Sequence, residues 1–338
     1  MAGSAAGGAE LFYERLTLAL AGAGETVLAV IRRNDGRAER LRGGGIEPVE
    51  LGFGGPLDWM TGPLLRRALR RFAPDVTVAW MNRAARFAPA GPWPLVGRLG
   101  GYYDLGYYRR CDHLVGNTRG IADWIVTQGW PAGRVHYLPN FSPDMGGAMP
   151  VSRASFGIPE GCGLILALGR LHPNKAFDVL IRAMAWLPEV HVVIAGEGPE
   201  RAALEALARN EGVADRVHLP GWRSDTASLL AMADLLVCPS RIEPLGNVVL
   251  EAWSAGRPIV AAAAAGPVEL IADGQDGRLV PLEDPFRLAK AIAGVLGDPA
   301  LSGSLAAAGR RRFENEFAQA PVLVRWRGFL ANVKQEKI

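Results

Sequence analysis

Two short apolar runs, Ala233-Asp-Leu-Leu-Val-Cys-Pro239 and Pro258-Ile-Val-Ala-Ala262, enclose the stretch Ser240-Arg-Ile-Glu-Pro-Leu-Gly-Asn-Val-Val-Leu-Glu-Ala-Trp-Ser-Ala-Gly256. Runs this short, this apolar and bounded by turn residues read as strands of a buried parallel sheet. Between them Gly246 and Asn247 open a helix whose interior carries Val248, Val249, Leu250, Ala252 and Trp253. Glu243 is therefore expected on the loop at the carboxyl end of a strand, just before a helix N-terminus. Glu251 follows eight residues later, about two turns into that helix by the 3.6-residue period. A helix N-terminus offers unpaired N–H groups and a positive dipole end to a phosphate. One carboxylate beside such an anion site, and another deeper in the groove, can accept hydrogen bonds from sugar hydroxyls. The spacing alone is equally that of a solvated helix face, so the context must decide.

That context of strand, polar loop, Glu, Gly-Asn, helix, Glu, small residues and strand resembles the Glu-x7-Glu element of the retaining glycosyltransferases of family 4. This is the glycogen-synthase-like group with the GT-B fold. The Glu-Gly-Phe-Gly usual in that family stands here as Glu243-Pro244-Leu245-Gly246. The resemblance runs from Ser152 to about Phe317 with several motifs in order, and is fainter from Met1 to Asn140.

A chain of 338 residues is long enough for two domains with a core each. With 49% hydrophobic and 21% charged residues it is globular, and a net charge of +3 with no aromatic–basic module argues against nucleic acid. Cys111, Cys162 and Cys238 give neither a disulfide framework nor a zinc site and point to a reducing compartment. The longest apolar run, Pro258 to Ala265, is too short for a membrane span and no signal peptide opens the chain, so a cytoplasmic location is expected. Peripheral contact with the inner face of a membrane stays open.

Gly3-Ser-Ala-Ala-Gly-Gly-Ala-Glu10 is a glycine-rich turn, and Leu11 to Ala21 has helical spacing. Glycines let backbone approach a phosphate closely, although a Gly/Ala/Ser stretch at a terminus can equally be a loose tail. Gly7-Gly8-Ala9-Glu10 looks like the Gly-Gly-Ala-Glu that follows the first strand in family 4, and the resemblance makes Gly7 and Gly8 donor-binding. A loop of this kind is positioned by the strand before it, usually a central one. Only Met1 and Ala2 precede Gly3, so the first strand of the N-terminal domain is expected to be missing. Met1 then reads as an internal methionine, with about five to eight mainly apolar residues ahead of it.

Strand and helix candidates then alternate. Thr26–Ile31, Ile46–Leu51, Val76–Trp80, Leu95–Leu99, His113–Gly116 and Val135–Leu138 read as strands. Leu57–Phe72 and Thr118–Gln128 read as helices, and Asp35–Leu41 as a helical turn. Such alternation argues for a doubly wound parallel sheet. Arg66, Arg67, Arg70 and Arg71 share one helix face, either solvated or drawn to anionic lipid or a polyanionic acceptor. The four tyrosines between Arg98 and Arg110 read either as packing at a strand end or as a platform for an acceptor sugar. The family often carries a His near this point at the mouth of its cleft; here His113 comes only at the start of the following strand.

Phe141 to Ser152 lacks periodicity and reads as an interdomain linker. Strand Gly163–Leu168 leads into Gly169-Arg-Leu-His-Pro-Asn-Lys175, and a helix starts near Phe177. Arg170 and Lys175 can both reach a diphosphate, Arg by its fork and Lys as a point charge. Gly-Arg-x4-Lys after a buried strand resembles the family's diphosphate-binding pair. His172 reads as loop filling. Strand Val190–Ala195 leads into Gly196-Glu-Gly-Pro199, and Val217–Trp222 reads as a strand and turn; Gly198 and Trp222 at these strand ends match the family's nucleotide-base bracket, and packing explains Trp222 as well. Helices are expected over Glu200–Arg209, Ala289–Leu296 and Leu305–Phe317, and a final one over Pro321–Val333, which the fold family returns to its first domain.

The expectation is thus an α/β protein of GT-B type with two Rossmann-like domains: 1–145, joined by helix 319–338, on the acceptor side, and 152–318 for the donor. The resemblance implies a metal-independent, retaining hexosyl transfer from a UDP- or GDP-type sugar to a glycan or lipid-linked acceptor, as in bacterial cell-surface polysaccharide or glycolipid synthesis. It gives Glu243, Arg170 and Lys175 catalytic roles. It makes Gly246, Asn247, Val248 and Glu251 donor-binding together with Gly7, Gly8, Gly198 and Trp222. No Asp-x-Asp and no His pair at ligand spacing suggests a metal. A sugar-nucleotide epimerase, a phosphorylase and a catalytically silent nucleotide-sugar scaffold are the alternatives.

Overall fold

The computed structural model describes residues 1–3, 7–54 and 58–336. Positions 4–6 of the glycine-rich turn, and the start of the helix expected from Leu57, lie outside them. The chain divides into two compact units: Met1–Phe141 with Gln319–Ile338, and Ser142–Ala318.

The first unit contains α1 (Gly8–Gly22), β1 (Val30–Arg32), α2 (Asp35–Gly43), β2 (Val49–Leu51), α3 (Thr61–Phe72), β3 (Thr77–Trp80), α4 (Met81–Phe87), β4 (Leu95–Leu99), β5 (His113–Gly116), α5 (Arg119–Thr127) and β6 (Val135–Tyr137). All pairings are parallel, but the strands form two sheets, β1-β2 and β3-β4-β5-β6. Polar caps set the helix starts: Asn34 accepts the Arg37 N–H at 2.9 Å, and Thr118 accepts the Ile121 N–H at 3.0 Å. Every residue of β4 is buried, Arg98 included. Its guanidinium lies 4.7 Å from the centre of the Trp80 ring and 5.3 Å from that of Phe12, so two aromatic faces take the place of water.

The second unit contains β7 (Gly163–Leu168), α6 (Phe177–Ala183), β8 (Val190–Ala195), α7 (Arg201–Asn210), β9 (Val217–Gly221), α8 (Thr226–Met232), β10 (Leu235–Cys238), α9 (Asn247–Ser254), β11 (Ile259–Ala262), α10 (Ala265–Leu270), β12 (Arg278–Val280), α11 (Pro285–Leu296) and α12 (Pro299–Arg312). A single parallel sheet runs β12-β11-β10-β7-β8-β9. The first strand of the unit is central and the order reverses beside it, so loops at the carboxyl ends of β7 and β10 meet at a topological switch point. The apolar stretch Gly-Leu-Ile-Leu-Ala-Leu of β7 is what a strand with helices on both faces requires.

A short π-helical turn, Phe313–Phe317, ends the second unit, and α13 (Gln319–Gln335) belongs to the first. Trp326 of α13, 1% exposed, stacks on Trp80 with ring centres 6.2 Å apart and planes within 14°. Helices α4 and α8 were not among the expected elements. Strand β1 pairs only from Val30 because its partner β2 begins at Val49, so the expected start at Thr26 is too early.

Candidate active site

The loops after β7 and β10 in the second unit bring two of the sequence-predicted charges, Lys175 and Glu243, together. After β7 the chain forms a turn over Pro173–Lys175, where His172 Nδ1 accepts the Asn174 N–H at 3.3 Å. After β10 the loop Pro239–Leu245 lies against that turn. Asn174 O accepts the Arg241 and Ile242 N–H groups at 2.9 and 3.2 Å, and Arg241 also donates to Pro173 O at 2.8 Å. Arg241 further grips Asp178 of α6 at 2.7 Å and makes an ion pair with Glu283. Burial pushes the Asp178 carboxyl up, but its bonds to Arg241 and Arg182 outweigh this and hold it below the ordinary value. Asp178 and Glu283 in turn hold Arg241 above the usual arginine range.

This buttress sets up a direct contact. Lys175 Nζ lies 2.5 Å from Glu243 Oε2, with the Glu243 side chain 9% exposed and that of Lys175 24%. The other carboxylate oxygen of Glu243 accepts the Gly246 N–H at 3.3 Å, and the Glu243 carbonyl accepts the Gly266 N–H at 2.7 Å. The loop is thus pinned at both ends of the residue.

Gly246 is the N-cap of α9 with φ 76°, a left-handed conformation that costs any residue with a Cβ about 1–2 kcal/mol. No side chain caps this helix; Asn247 is half-buried and Val248 buried. The far end of α9 is anchored by Trp253, fully buried, whose Nε1–H donates to Asp276 O at 2.8 Å. Because the helix begins only at Asn247, Glu251 is its fifth residue. It therefore lies little more than one turn in, not the two turns expected.

Arg170 follows Gly169 at the end of β7 and is exposed. Gly198, after β8, sits where a Cβ would come within 2.2 Å of the Leu171 carbonyl oxygen, so the β7 and β8 loops touch through backbone. Trp222, just after β9, is 73% exposed and packs into no core. Gly7 and Gly8 belong to the first unit, at the start of α1; Gly7 O accepts the Leu11 N–H at 3.0 Å. Of the tyrosine-rich segment, Tyr108 is buried and bonded to Asn82 at 2.8 Å, whereas Tyr102 and Tyr107 are exposed. Arg66, Arg67, Arg70 and Arg71 all face solvent. Among the described residues no three His, Cys, Asp or Glu side chains converge as metal ligands, and no single helix is long and apolar enough to cross a membrane.

Sequence reasoning missed Arg241 and Asp178, which fix one loop to the other. The only signal was an Arg two residues before Glu243, and its partner lies 63 positions away.

A helix N-terminus with no side-chain cap, a lysine and a carboxylate lie at this switch point, an arrangement that suits a phosphorylated sugar donor. Residues 163–298 match the family model described as glycosyl transferases group 1. The lipopolysaccharide core biosynthesis glycosyltransferase LpsE of Rhizobium meliloti (strain 1021) is 35% identical over 320 residues, 94% of this chain and 93% of LpsE. LpsD of the same organism, also a lipopolysaccharide core biosynthesis glycosyltransferase, is 36% identical over 260 residues, 76% of this chain and 75% of LpsD. In fold the chain matches the crystal structure of Anabaena HepE in complex with UDP, with a TM-score of 0.85, 21% identity and 98% of each chain covered. The HepE complex with UDP-glucose gives a TM-score of 0.82 at 20% identity and 97% coverage of each chain. The two-unit α/β architecture is that of the GT-B glycosyltransferases, and by its identity to LpsE along nearly its whole length the chain belongs to the group 1 glycosyltransferases.

Proposed function

We propose that this glycosyltransferase moves a hexosyl group from a nucleoside diphosphate sugar to a hydroxyl of a glycan or lipid-linked acceptor, with retention of anomeric configuration. The acceptor is the growing core of a lipopolysaccharide or a related cell-surface glycolipid, the pathway in which LpsE and LpsD act. The donor is of UDP or GDP type. The Lys175–Glu243 contact at the head of α9 carries this reading.

When the donor binds, its diphosphate competes with Glu243 for the Lys175 ammonium. Lys175, Arg170 and the N–H groups of α9 then surround the phosphates, and Glu243, released from its partner, accepts hydroxyl hydrogens of the transferred sugar. Charge develops in two places as the bond to the leaving phosphate lengthens: on the sugar ring, as an oxocarbenium-like cation, and on the diphosphate. The fixed cations and helix end meet the second charge with no further reorganisation, which is electrostatic preorganisation; the acceptor oxygen bonds the anomeric carbon and its proton passes to the leaving diphosphate. Glu251 holds the ribose hydroxyls, and Trp222 and the Gly198 turn flank the base. The same cations take the part a divalent ion plays in other transferases, so the reaction runs without metal. The protein works in the cytoplasm, its exposed arginine face on α3 resting on anionic lipid.

A panel of UDP and GDP sugars, incubated with truncated core oligosaccharide and read by mass spectrometry and by the anomeric NMR coupling of the product, tests the proposal. Transfer that survives EDTA and gives the donor's own anomer supports it. Inversion, or loss with chelator and rescue by Mn²⁺, overturns the retaining or the metal-free part respectively.

A further inference from the structure

Strands β4 and β5 end side by side: Arg98 pairs with Val115 and Leu99 with Gly116, so Gly100 and Asn117 are the next positions along. The Arg98 side chain is wholly buried in the first unit. Its Nη2 donates to the neutral amide oxygen of Asn140 at 2.5 Å, and its guanidinium lies over the rings of Trp80 and Phe12. Among the described residues its Nε and Nη1 meet no acceptor, and no carboxylate pairs with it. Burial lowers Arg98 to about 10, with only the hydroxyls of Tyr103 and Tyr108 pulling the other way. The group is therefore still charged at neutral pH and lacks a counter-ion. Taking an ion out of water is costly unless an opposite charge meets it.

The unpaired Nη1 borders an open point beside Gly100. The nearest neighbours of a Cβ there would be Arg98 Nη1 at 3.2 Å, Asn117 Nδ2 at 3.9 Å and Tyr103 Oη at 3.9 Å. Each of these three atoms can donate a hydrogen bond. Asn117 is only 4% exposed, and its Oδ1 is buried without a partner among the described residues. Tyr103 is half-buried, and its ring would come within 3.2 Å of a Cβ on Gly101. The two glycines thus let the ring fold back over the strand end, and a side chain at position 100 would fill the space. Glu10 acts on the Tyr103 hydroxyl but not on Arg98. A trapped water could accept the free N–H groups, yet it would leave the charge uncompensated.

We propose that this cradle of Arg98, Asn117 and Tyr103 takes an anionic oxygen group, a carboxylate or a phosphate, carried by the sugar acceptor. That the site takes an anion follows from the uncompensated guanidinium and the three donors. That the anion belongs to the acceptor rests on the transferase reading above. Arg98 makes the charge-assisted bond and the other two side chains add neutral donors, so an acceptor residue without the negative charge loses the stronger contact. Arg98 and Asn117 are closed off from solvent, and the anion enters where the half-buried Tyr103 ring swings aside.

Calorimetric titration of the full chain with inorganic phosphate and with acetate reads the site directly, in an Arg170→Ala/Lys175→Ala background that removes the donor cations from competition. Gly100→Ala puts a methyl group in the cradle and weakens the anion that binds by at least about tenfold. Asn117→Asp gives Arg98 a fixed counter-ion. It abolishes anion binding and raises the melting midpoint of the first unit by at least about 2 °C, a gain lost when Arg98→Met is added. With core oligosaccharide and the otherwise unchanged chain, Gly100→Ala raises the acceptor KM by at least about tenfold without moving the donor KM. Phosphatase treatment or carboxyl reduction of the acceptor raises the parent chain's KM as much, and the treatment that does so names the group. No anion binding, equal binding with and without Gly100→Ala, or no gain from Asn117→Asp overturns the cradle. Sugar transfer whose acceptor KM ignores Gly100→Ala and both treatments overturns its assignment to the acceptor. Anion binding that depends on Gly100, with no transfer from any donor, supports the cradle and overturns the transferase reading instead.

Discussion

Lys175 and Glu243, 68 positions apart, meet at 2.5 Å in a loop cluster that Arg241 ties to Asp178 of α6. The pair holds a buried carboxylate that has few other partners, so its two members respond differently to substitution.

Lys175→Met leaves the Glu243 carboxylate without its cation and costs about 1–3 kcal/mol of stability in the second unit. Adding Glu243→Gln recovers most of that loss, because a neutral amide needs no counter-charge. Chemical denaturation of the single and double variants measures it; equal losses in both would show that the pair is not coupled.

Glu243→Gln lowers kcat by at least about 100-fold without weakening nucleoside diphosphate binding, since its partner in the complex is the sugar and Lys175 is no longer held by a carboxylate. Glu251→Ala does the reverse, weakening the nucleotide by about 1–3 kcal/mol with a smaller effect on kcat. Calorimetry and steady-state rates on both variants separate the two roles.

Replacing Arg170 and Lys175 together by Ala weakens the nucleoside diphosphate far more than the nucleoside. Titration of both ligands against the double variant gives the comparison, and parallel losses would remove these cations from the phosphate site.

Gly198→Ala places a methyl group against the Leu171 carbonyl, backbone against backbone, where neither side can rotate away. The β7 loop is pushed off the β8 loop, KM for the donor rises, and the melting midpoint of the second unit falls by a few degrees. An unchanged KM would mean that the two loops separate without disturbing the donor.

Acid weakens both units. His113 and His136 face each other at 3.1 Å, and His191 and His218 at 3.0 Å. Burial is the first cause that lowers all four; the partner imidazole adds to it for His136 and His218, and Arg134 and Arg216 for His113 and His191. Glu336 and Asp215 pull the other way. Below the ordinary value of 6.5 the unfolded chain binds protons that the folded one refuses, so stability rises with pH through this window and is lost as pH falls toward the folded values. Urea midpoints at pH 7.5 and 5.0 measure the loss, and His136→Asn with His218→Asn shrinks it. A midpoint flat across this range would refute the linkage.

The sequence made the buried framework legible where apolar runs end in Gly, Pro or a charged residue. Strands β4, β5, β7 and β8 have the ends read from the sequence. Helix α4 was not legible, because its Met-Asn-Arg-Ala-Ala-Arg-Phe stretch is short, shows no apolar stripe, and starts at a residue with φ 66°. The cation and carboxylate pattern of the site was visible as Gly-Arg-x4-Lys and Glu-x7-Glu. The contact between the two was not, since it depends on how β7 and β10 neighbour each other and on Arg241 reaching Asp178. The depth of Glu251 was misjudged because its two turns were counted from Glu243, which lies on the loop, and not from the helix start at Asn247.

Helix α13 carries Trp326 into the core around Trp80, so the first unit is built from both ends of the sequence. On the ribosome the stretch Ser142–Ala318 leaves the exit tunnel whole and free to fold, while the unit made first still waits for its last helix. The usual order of vectorial folding, amino-terminal domain first, is thereby inverted. Until residue 326 emerges, Trp80 has only the rings of Phe12 and Tyr13 beside it, and nascent chains stalled before α13 will expose the apolar face that Trp326 covers.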